Sequence, residues 1–263
     1  MNKYLRRSLG LALCGALAVC AAAAEVRGRS REESRGDTRA EAERLWELAV
    51  AAKGGRERLH AVNSLLISAG SPKYPLIDLY AFPGKFWRWN ALPEPIGLSI
   101  DMMNAERGDA YLTYPDDPKS PRKLGEVFLR SCQFFVTEAQ LYFLLETRWH
   151  RPVPVEAREG EARGRRADVV RVVVGDRQAD YFLDRKTHLP LMVVYPPREK
   201  AWRRFEAKDY VDVGGVMLPS KVSYGGGFSP YAYVVNPDYD AAVFERPPTV
   251  EAGRDAWRPR ASR

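Results

Sequence analysis

The sequence predicts an α+β fold: one large curved antiparallel sheet, an incomplete β-barrel, wrapped around a few helices. Three observations predict it. About a dozen short segments alternate apolar and polar residues with period two. Gly- and Pro-rich turns separate them, as in hairpins and meanders. The helical stretches are grouped instead of being interleaved one by one with the strands, which argues against a parallel α/β sheet. At 263 residues and 45% hydrophobic composition, the chain has the material for one sizeable core and is not a disordered polymer.

Residues 1–24 come first and read as a secretory signal. Lys3, Arg6 and Arg7 precede an apolar run from Leu9 that ends in Ala22-Ala23-Ala24, a small-residue cleavage site. The run is shorter than the roughly 20 residues that a membrane helix needs. Cys20 sits where a lipoprotein signal carries its acylated Cys, but Val19 replaces the small residue expected before it. The expected location is therefore the periplasm, with an outer-membrane lipoprotein as the outcome if Cys20 is lipidated. Cleavage removes three basic residues and no acid, so 38 basic and 34 acidic residues remain, a net charge of +4. That mild excess requires no nucleic-acid partner and is compatible with contact to a membrane surface. Cys132 is then the one remaining Cys, so no internal disulfide can form, and it is expected as a buried apolar residue.

Residues 25–37 are charge-rich with no apolar period and read as a flexible lead-in to a single domain over 38–246. Thr38-Arg39-Ala40-Glu41 has capping-box spacing. Ala42, Leu45, Trp46, Ala49 and Val50 then form one helical stripe ending near Lys53, where Gly54-Gly55 stops it. A short helical turn from Arg56 to Ala61 leads into the first strand, Asn63 to Ala69. Strands follow at Leu76–Phe82, Lys85–Asn90, Leu98–Asn104 and Ala110–Tyr114. Ser120-Pro121 is read as an N-cap opening a helix through Leu124, Val127, Phe128 and Cys132. A second cap at Thr137 opens Leu141–Leu145, apolar nearly all round and suited to plug or cover a sheet. Strands return at Val153–Arg158, Ala167–Val174, Gln178–Leu183, Leu189–Tyr195, Trp202–Tyr210, Met217–Tyr224 and Tyr231–Val235. The tail, 247–263, is rich in Pro, Arg and Ala and reads as disordered.

The search for chemistry is mostly negative. His60, His150 and His188 are far apart and show no metal-binding spacing, so no metal is expected. Gly226-Gly227-Phe228-Ser229-Pro230 lacks the final Gly of a nucleophile elbow and has Pro where the helix would start. Gly225-Gly226-Gly227 has neither the following helix nor the Lys-Ser/Thr pair of a phosphate loop. Arg158, Arg163, Arg165 and Arg166 cluster about a hairpin tip that either docks an anion or faces water. No catalytic residue and no cofactor is expected.

What stands out is oily strand surface. Trp87, Trp89, Leu98, Ile100, Met102 and Leu112, with Tyr231 and Tyr233 on the last strand and Leu141 and Leu145 on the apolar helix, are candidates to line a groove. Core packing gives the same pattern. A bent sheet with too few helices to fill its concave face leaves such a groove, and an acyl chain buried there gains about 0.8 kcal/mol per methylene with no catalytic group.

Three stretches together resemble the periplasmic outer-membrane lipoprotein-sorting superfamily, typified by the lipoprotein carrier (LolA/LolB-like). They are Ala51-Ala52-Lys53-Gly54-Gly55 with Leu59 and Val62-Asn63-Ser64, then Tyr181 to Pro190, then Asp209 to Pro219. Val235-Asn236-Pro237 and Phe244-Glu245-Arg246-Pro247 are similar to that family's closing segment. The resemblance implies a half-barrel around helices whose hydrophobic cavity accepts acyl chains. The expected function is thus non-enzymatic: a periplasmic binding or carrier protein for lipid or acylated lipoprotein, acting as a monomer. The alternative is an envelope sensor or scaffold of the same fold that binds protein.

Overall fold

The computed structural model describes residues 38–94, 97–117, 119–175, 177–195, 203–245 and 247–248. The expected signal segment, Cys20, the lead-in and the tail from 249 onward lie outside the described residues. The described strands form one open antiparallel sheet of 13 strands. They are β1 (Ser64–Gly70), β2 (Pro75–Ala81), β3 (Lys85–Ala91), β4 (Leu98–Asn104), β5 (Asp109–Thr113), β6 (Arg122–Lys123), β7 (Val153–Ala162), β8 (Arg165–Val174), β9 (Arg177–Asp184), β10 (Pro190–Tyr195), β11 (Arg203–Val213), β12 (Val216–Ser223) and β13 (Ser229–Val235). The spatial order runs from β6 back to β1, crosses to β13 and descends to β7. Two meanders are thus sewn together at the β1–β13 seam, and the β6 and β7 edges stay unpaired with each other, so the barrel is incomplete.

The helices pack against the concave face. Residues 38–52 form α1, followed by α2 (Arg56–Ala61). Between β6 and β7 runs α3 (Glu126–Leu144). Ala42, Leu45, Trp46, Ala49 and Val50 are all buried, as the helical stripe requires, and the Trp46 ring meets Tyr181 edge-on at 5.0 Å. The second half of α3 is buried nearly all round, from Val136 through Ala139 and Leu141 to Leu145. These side chains join Leu65, Ile67, Tyr80, Phe86, Val170, Tyr181, Val193, Phe205 and Leu218 in one core.

The expected helix start at Pro121 is corrected. Arg122 and Lys123 pair with Leu112 and Tyr111 as β6, and the Lys123 ammonium meets Asp109 at 2.9 Å, so this stretch has strand partners before a helix can begin. The helix starts at Glu126 behind Gly125, with no side-chain cap. The second expected cap, Thr137, lies inside the same unbroken helix. Its hydroxyl donates to the Gln133 carbonyl at 3.1 Å, the i−4 bond by which a mid-helix Thr is satisfied without capping anything. Cys132 is in α3, but its side chain lies outside the described residues.

The segments that carry the family resemblance are joints of this frame. Gly54, at φ 120°, passes so close to the β11–β12 turn that an added Cβ would lie 2.1 Å from the Gly215 carbonyl oxygen. Met217 N–H donates to the Lys53 carbonyl at 3.0 Å, and the fully buried Lys53 ammonium donates to the Met217 carbonyl. Burial pushes that ammonium down to about 7. The Tyr210 hydroxyl donates to Pro190 O at 2.8 Å, and Asp184 Oδ1 accepts from the Lys186 and Thr187 amides in the turn after β9. Asn236 locks the seam: Oδ1 accepts from Asn63 and Ser64 N–H, while Nδ2 donates to Ala61 O.

Candidate functional site

Alternation along the strands decides which side chains reach the concave face. On β2 the inward set is Leu76, Asp78 and Tyr80, and the outward set is Ile77, Leu79 and Ala81. In the β3 register, Asp78 faces Arg88 and Ile77 faces Trp89. Arg88 thus shares the inner face with Phe86, and Trp87 and Trp89 point out.

A cavity of about 450 Å³ opens on this inner face. Its walls come from β1–β3 (Ile67, Leu76, Asp78, Tyr80, Arg88), from α3 (Glu138, Ala139, Tyr142, Phe143) and from β11 to β13 (Arg204, Tyr224, Tyr231). The volume falls in the range of small-molecule sites, about 300–1,000 Å³. Aromatic rings form much of the lining. Tyr142 stacks on Phe205 at 4.5 Å, Tyr224 meets Tyr142 and Phe205 edge-on at 6.2 and 5.6 Å, and Phe143 lies 6.2 Å from Tyr231. Tyr224 is 59% exposed although it lines the cavity, so it marks where the space communicates with solvent.

The polar wall is built around one guanidinium. Arg88 donates from Nε and Nη2 to the two Asp78 oxygens at 2.7 and 2.8 Å, a bidentate pair, and Tyr80 OH donates to Asp78 at 3.2 Å. Burial works against the Arg88 charge, but the Asp78 carboxylate outweighs it and keeps the guanidinium protonated. Asp101, opposite Arg88 on β4, has its carboxyl pushed up to about 6 by burial, against the pull of Arg88 and with Asp78 adding to the rise. Burial likewise pushes the Tyr231 phenol up to about 12. The tyrosines stay neutral at ordinary pH and serve as walls and hydrogen-bonding groups.

The structure divides the ten candidate lining residues. Tyr231 lines the cavity. Tyr233 is on the same face, against Phe143 at 5.6 Å, with its hydroxyl given to Pro219 O at 2.7 Å. Leu141 and Leu145 are buried core and form no part of the cavity lining. Leu112 pairs with Asp101 and so falls on the inner face, away from the lining set. The other five are on the opposite face. Trp87, Ile100 and Met102 are buried there beside Trp89 and Leu98, beneath a 3₁₀ turn, Ala241–Phe244, whose Phe244 is 2% exposed. Asn104 Nδ2 ties that turn down through Phe244 O at 3.1 Å, and the Thr113 hydroxyl holds Pro248 O at 2.7 Å. Sequence reasoning missed Asp78, Tyr80, Arg88, Glu138, Tyr142 and Tyr224. The available signal was Asp78 and Arg88, charges at alternate-strand positions inside otherwise apolar strands.

Three of the four clustered arginines, Arg158, Arg163 and Arg165, have carboxylate partners. Arg158 meets Asp180 at 2.5 Å, Arg165 meets Asp184 at 2.6 Å, and Arg163 pairs with Glu206 while lying over the Phe228 ring at 4.1 Å. His60 contacts Glu146 at 3.0 Å and His150 contacts Gln140 at 2.9 Å. Among the described residues no group of three or more His, Cys, Asp and Glu side chains could hold a metal ion. No helix of the described residues is long and apolar enough to cross a membrane.

No family model matches the chain, and no curated protein does. Among solved structures it is similar to a LolA superfamily protein from Nitrosomonas europaea, with 12% identity over 74% of this chain and 96% of that one, at a TM-score of 0.43. It is also similar to an outer membrane lipoprotein-sorting protein domain from Vibrio parahaemolyticus, with 10% identity over 77% of this chain and 97% of that one, at a TM-score of 0.37. The chain itself is an open antiparallel half-barrel with helices packed on its concave side.

Proposed function

We propose that the protein is a non-enzymatic binding or carrier protein of the bacterial envelope that holds the acyl part of a lipid or of an acylated protein in the concave-face cavity. The observation that carries this reading is the cavity itself: about 450 Å³ left between α3 and the sheet, with Tyr80, Tyr142, Phe143, Tyr224 and Tyr231 among its walls. That space opens to solvent at Tyr224, so without an occupant its rings face water in place of dispersion partners. An acyl chain supplies those partners and gains about 0.8 kcal/mol per buried methylene. The N-terminal sequence, read as an export signal, supports a periplasmic setting where such cargo is handled.

The test is direct binding. Delipidated protein titrated with a fluorescent acyl probe is expected to show saturable, stoichiometric enhancement, and native extraction followed by mass spectrometry is expected to retain lipid. Neither saturation nor retained lipid would contradict the reading.

A further inference from the structure

The polar wall of the cavity constrains the head of any amphiphile whose tail it holds. Arg88 has Asp78 and Asp101 as cross-strand neighbours on either side. A guanidinium has five N–H donors. Nε and Nη2 are given to Asp78, whereas Nη1 donates to no acceptor among the described residues, on a side chain that lines the cavity. The site therefore offers a hydrogen-bond donor. It does not offer spare positive charge. Asp78 is paired bidentately with Arg88, Asp101 faces the same guanidinium, and Glu138 faces the space from α3. Arg204, the other cation on the lining, is held at 2.5 Å by the buried Glu206, which also pairs with Arg163, so the acid excess is the one around Arg88.

We propose that the cavity takes a single-tailed amphiphile with an uncharged, acceptor-bearing head, an ester, amide or hydroxyl group, and discriminates against a free fatty-acid carboxylate. This rests on the acyl-binding reading above. A carbonyl or hydroxyl oxygen accepts from Arg88 Nη1 without disturbing the Asp78 pair. A further carboxylate enters a wall whose acids already outnumber its available cations, and its desolvation goes uncompensated. A quaternary ammonium head is drawn to those acids but carries no acceptor, so it leaves Arg88 Nη1 without a partner and forgoes the hydrogen bond that an ester, amide or hydroxyl head makes.

Calorimetric titration of the delipidated full-length protein at neutral pH with monolauroylglycerol, laurate and dodecyltrimethylammonium separates the possibilities. Monolauroylglycerol is expected to bind tightest, by about tenfold or more over laurate. Asp101→Asn removes an acid beside Arg88 and is expected to narrow that ratio by strengthening laurate. The proposal is overturned if laurate or the ammonium compound binds as tightly as the ester, or if Asp101→Asn leaves the ratio where it was. Failure of all three ligands to bind would instead overturn the acyl-binding reading on which the proposal stands.

Discussion

The two faces of β2–β4 differ in a way that runs against simple expectation. The outer face has the greasier side chains, Ile77, Leu79, Trp87, Ile100 and Met102, and it is closed: Phe244 and its 3₁₀ turn pack onto it. The inner face has Asp78, Arg88 and Asp101 among its rings, and it keeps the open volume. Apolar side chains collapse onto each other until no space is left. A bidentate ion pair and oriented phenols hold fixed geometry and require polar company, so the helix opposite cannot simply close on them. In this sheet the oily surface is packed shut, and the mixed surface keeps the cavity.

The largest effect should come from the closed face. Trp87 is 1% exposed, so Trp87→Ala is expected to cost about 3–5 kcal/mol in denaturant titration. Acyl-probe affinity per folded molecule should stay at the wild-type value, because the residue is on the other side of the sheet. A weakened affinity would break the separation of the faces.

Charge removal sharpens the same contrast. Asp78→Asn removes the bidentate partner of Arg88 and leaves only the cross-strand Asp101 beside it, and is expected to cost about 2–3 kcal/mol. Asp180→Asn, on the outer face of β9 where Arg158 and Arg171 are each about one-third exposed, is expected to cost about 1 kcal/mol or less. Arg158 and Arg171 keep Glu156 as a partner, so equal losses would mean that the bidentate Asp78 pair on the inner face is worth no more than one member of that network.

A smaller effect is carried by pH. Asp101 titrates at about 6 in the folded protein, above the ordinary carboxylate range. The native state then holds a proton that the unfolded chain has released, so stability is fullest below about pH 4 and falls as pH rises through about 6. The loss from this one group, between the ordinary value of 3.8 and about 6, is at most about 3 kcal/mol. Asp101→Asn should remove that slope, as read from the difference between wild-type and variant unfolding free energies across pH 4 to 7. An unchanged slope would assign it elsewhere.

Much of the fold is legible from period-two alternation and turn residues. All 12 expected strands exist, and Leu98–Asn104 has the same bounds in both readings. The strand that escaped, Arg122–Lys123, is two exposed residues long and has no apolar alternation to read. Helix α3 was legible as helical but not in its start, because Ser120-Pro121 and Thr137 have cap chemistry that pairing and an i−4 hydrogen bond overrule. The site was legible least. Alternation separates Trp87 from Arg88 but does not say which face is concave. That depends on where α1 and α3 dock, through contacts such as Gly54 against Gly215 that are distant in sequence.

The central claim is that ligand occupies the inner-face cavity and nothing outside it. Ala139 is 4% exposed on α3 and lines that space, so Ala139→Phe places a ring where the tail would sit. Acyl-probe titration of this variant, with its thermal unfolding measured alongside, is the most direct test. A cooperatively folded Ala139→Phe protein that has lost most of its probe affinity is the predicted result. A folded variant that binds the probe as the wild type does would contradict it.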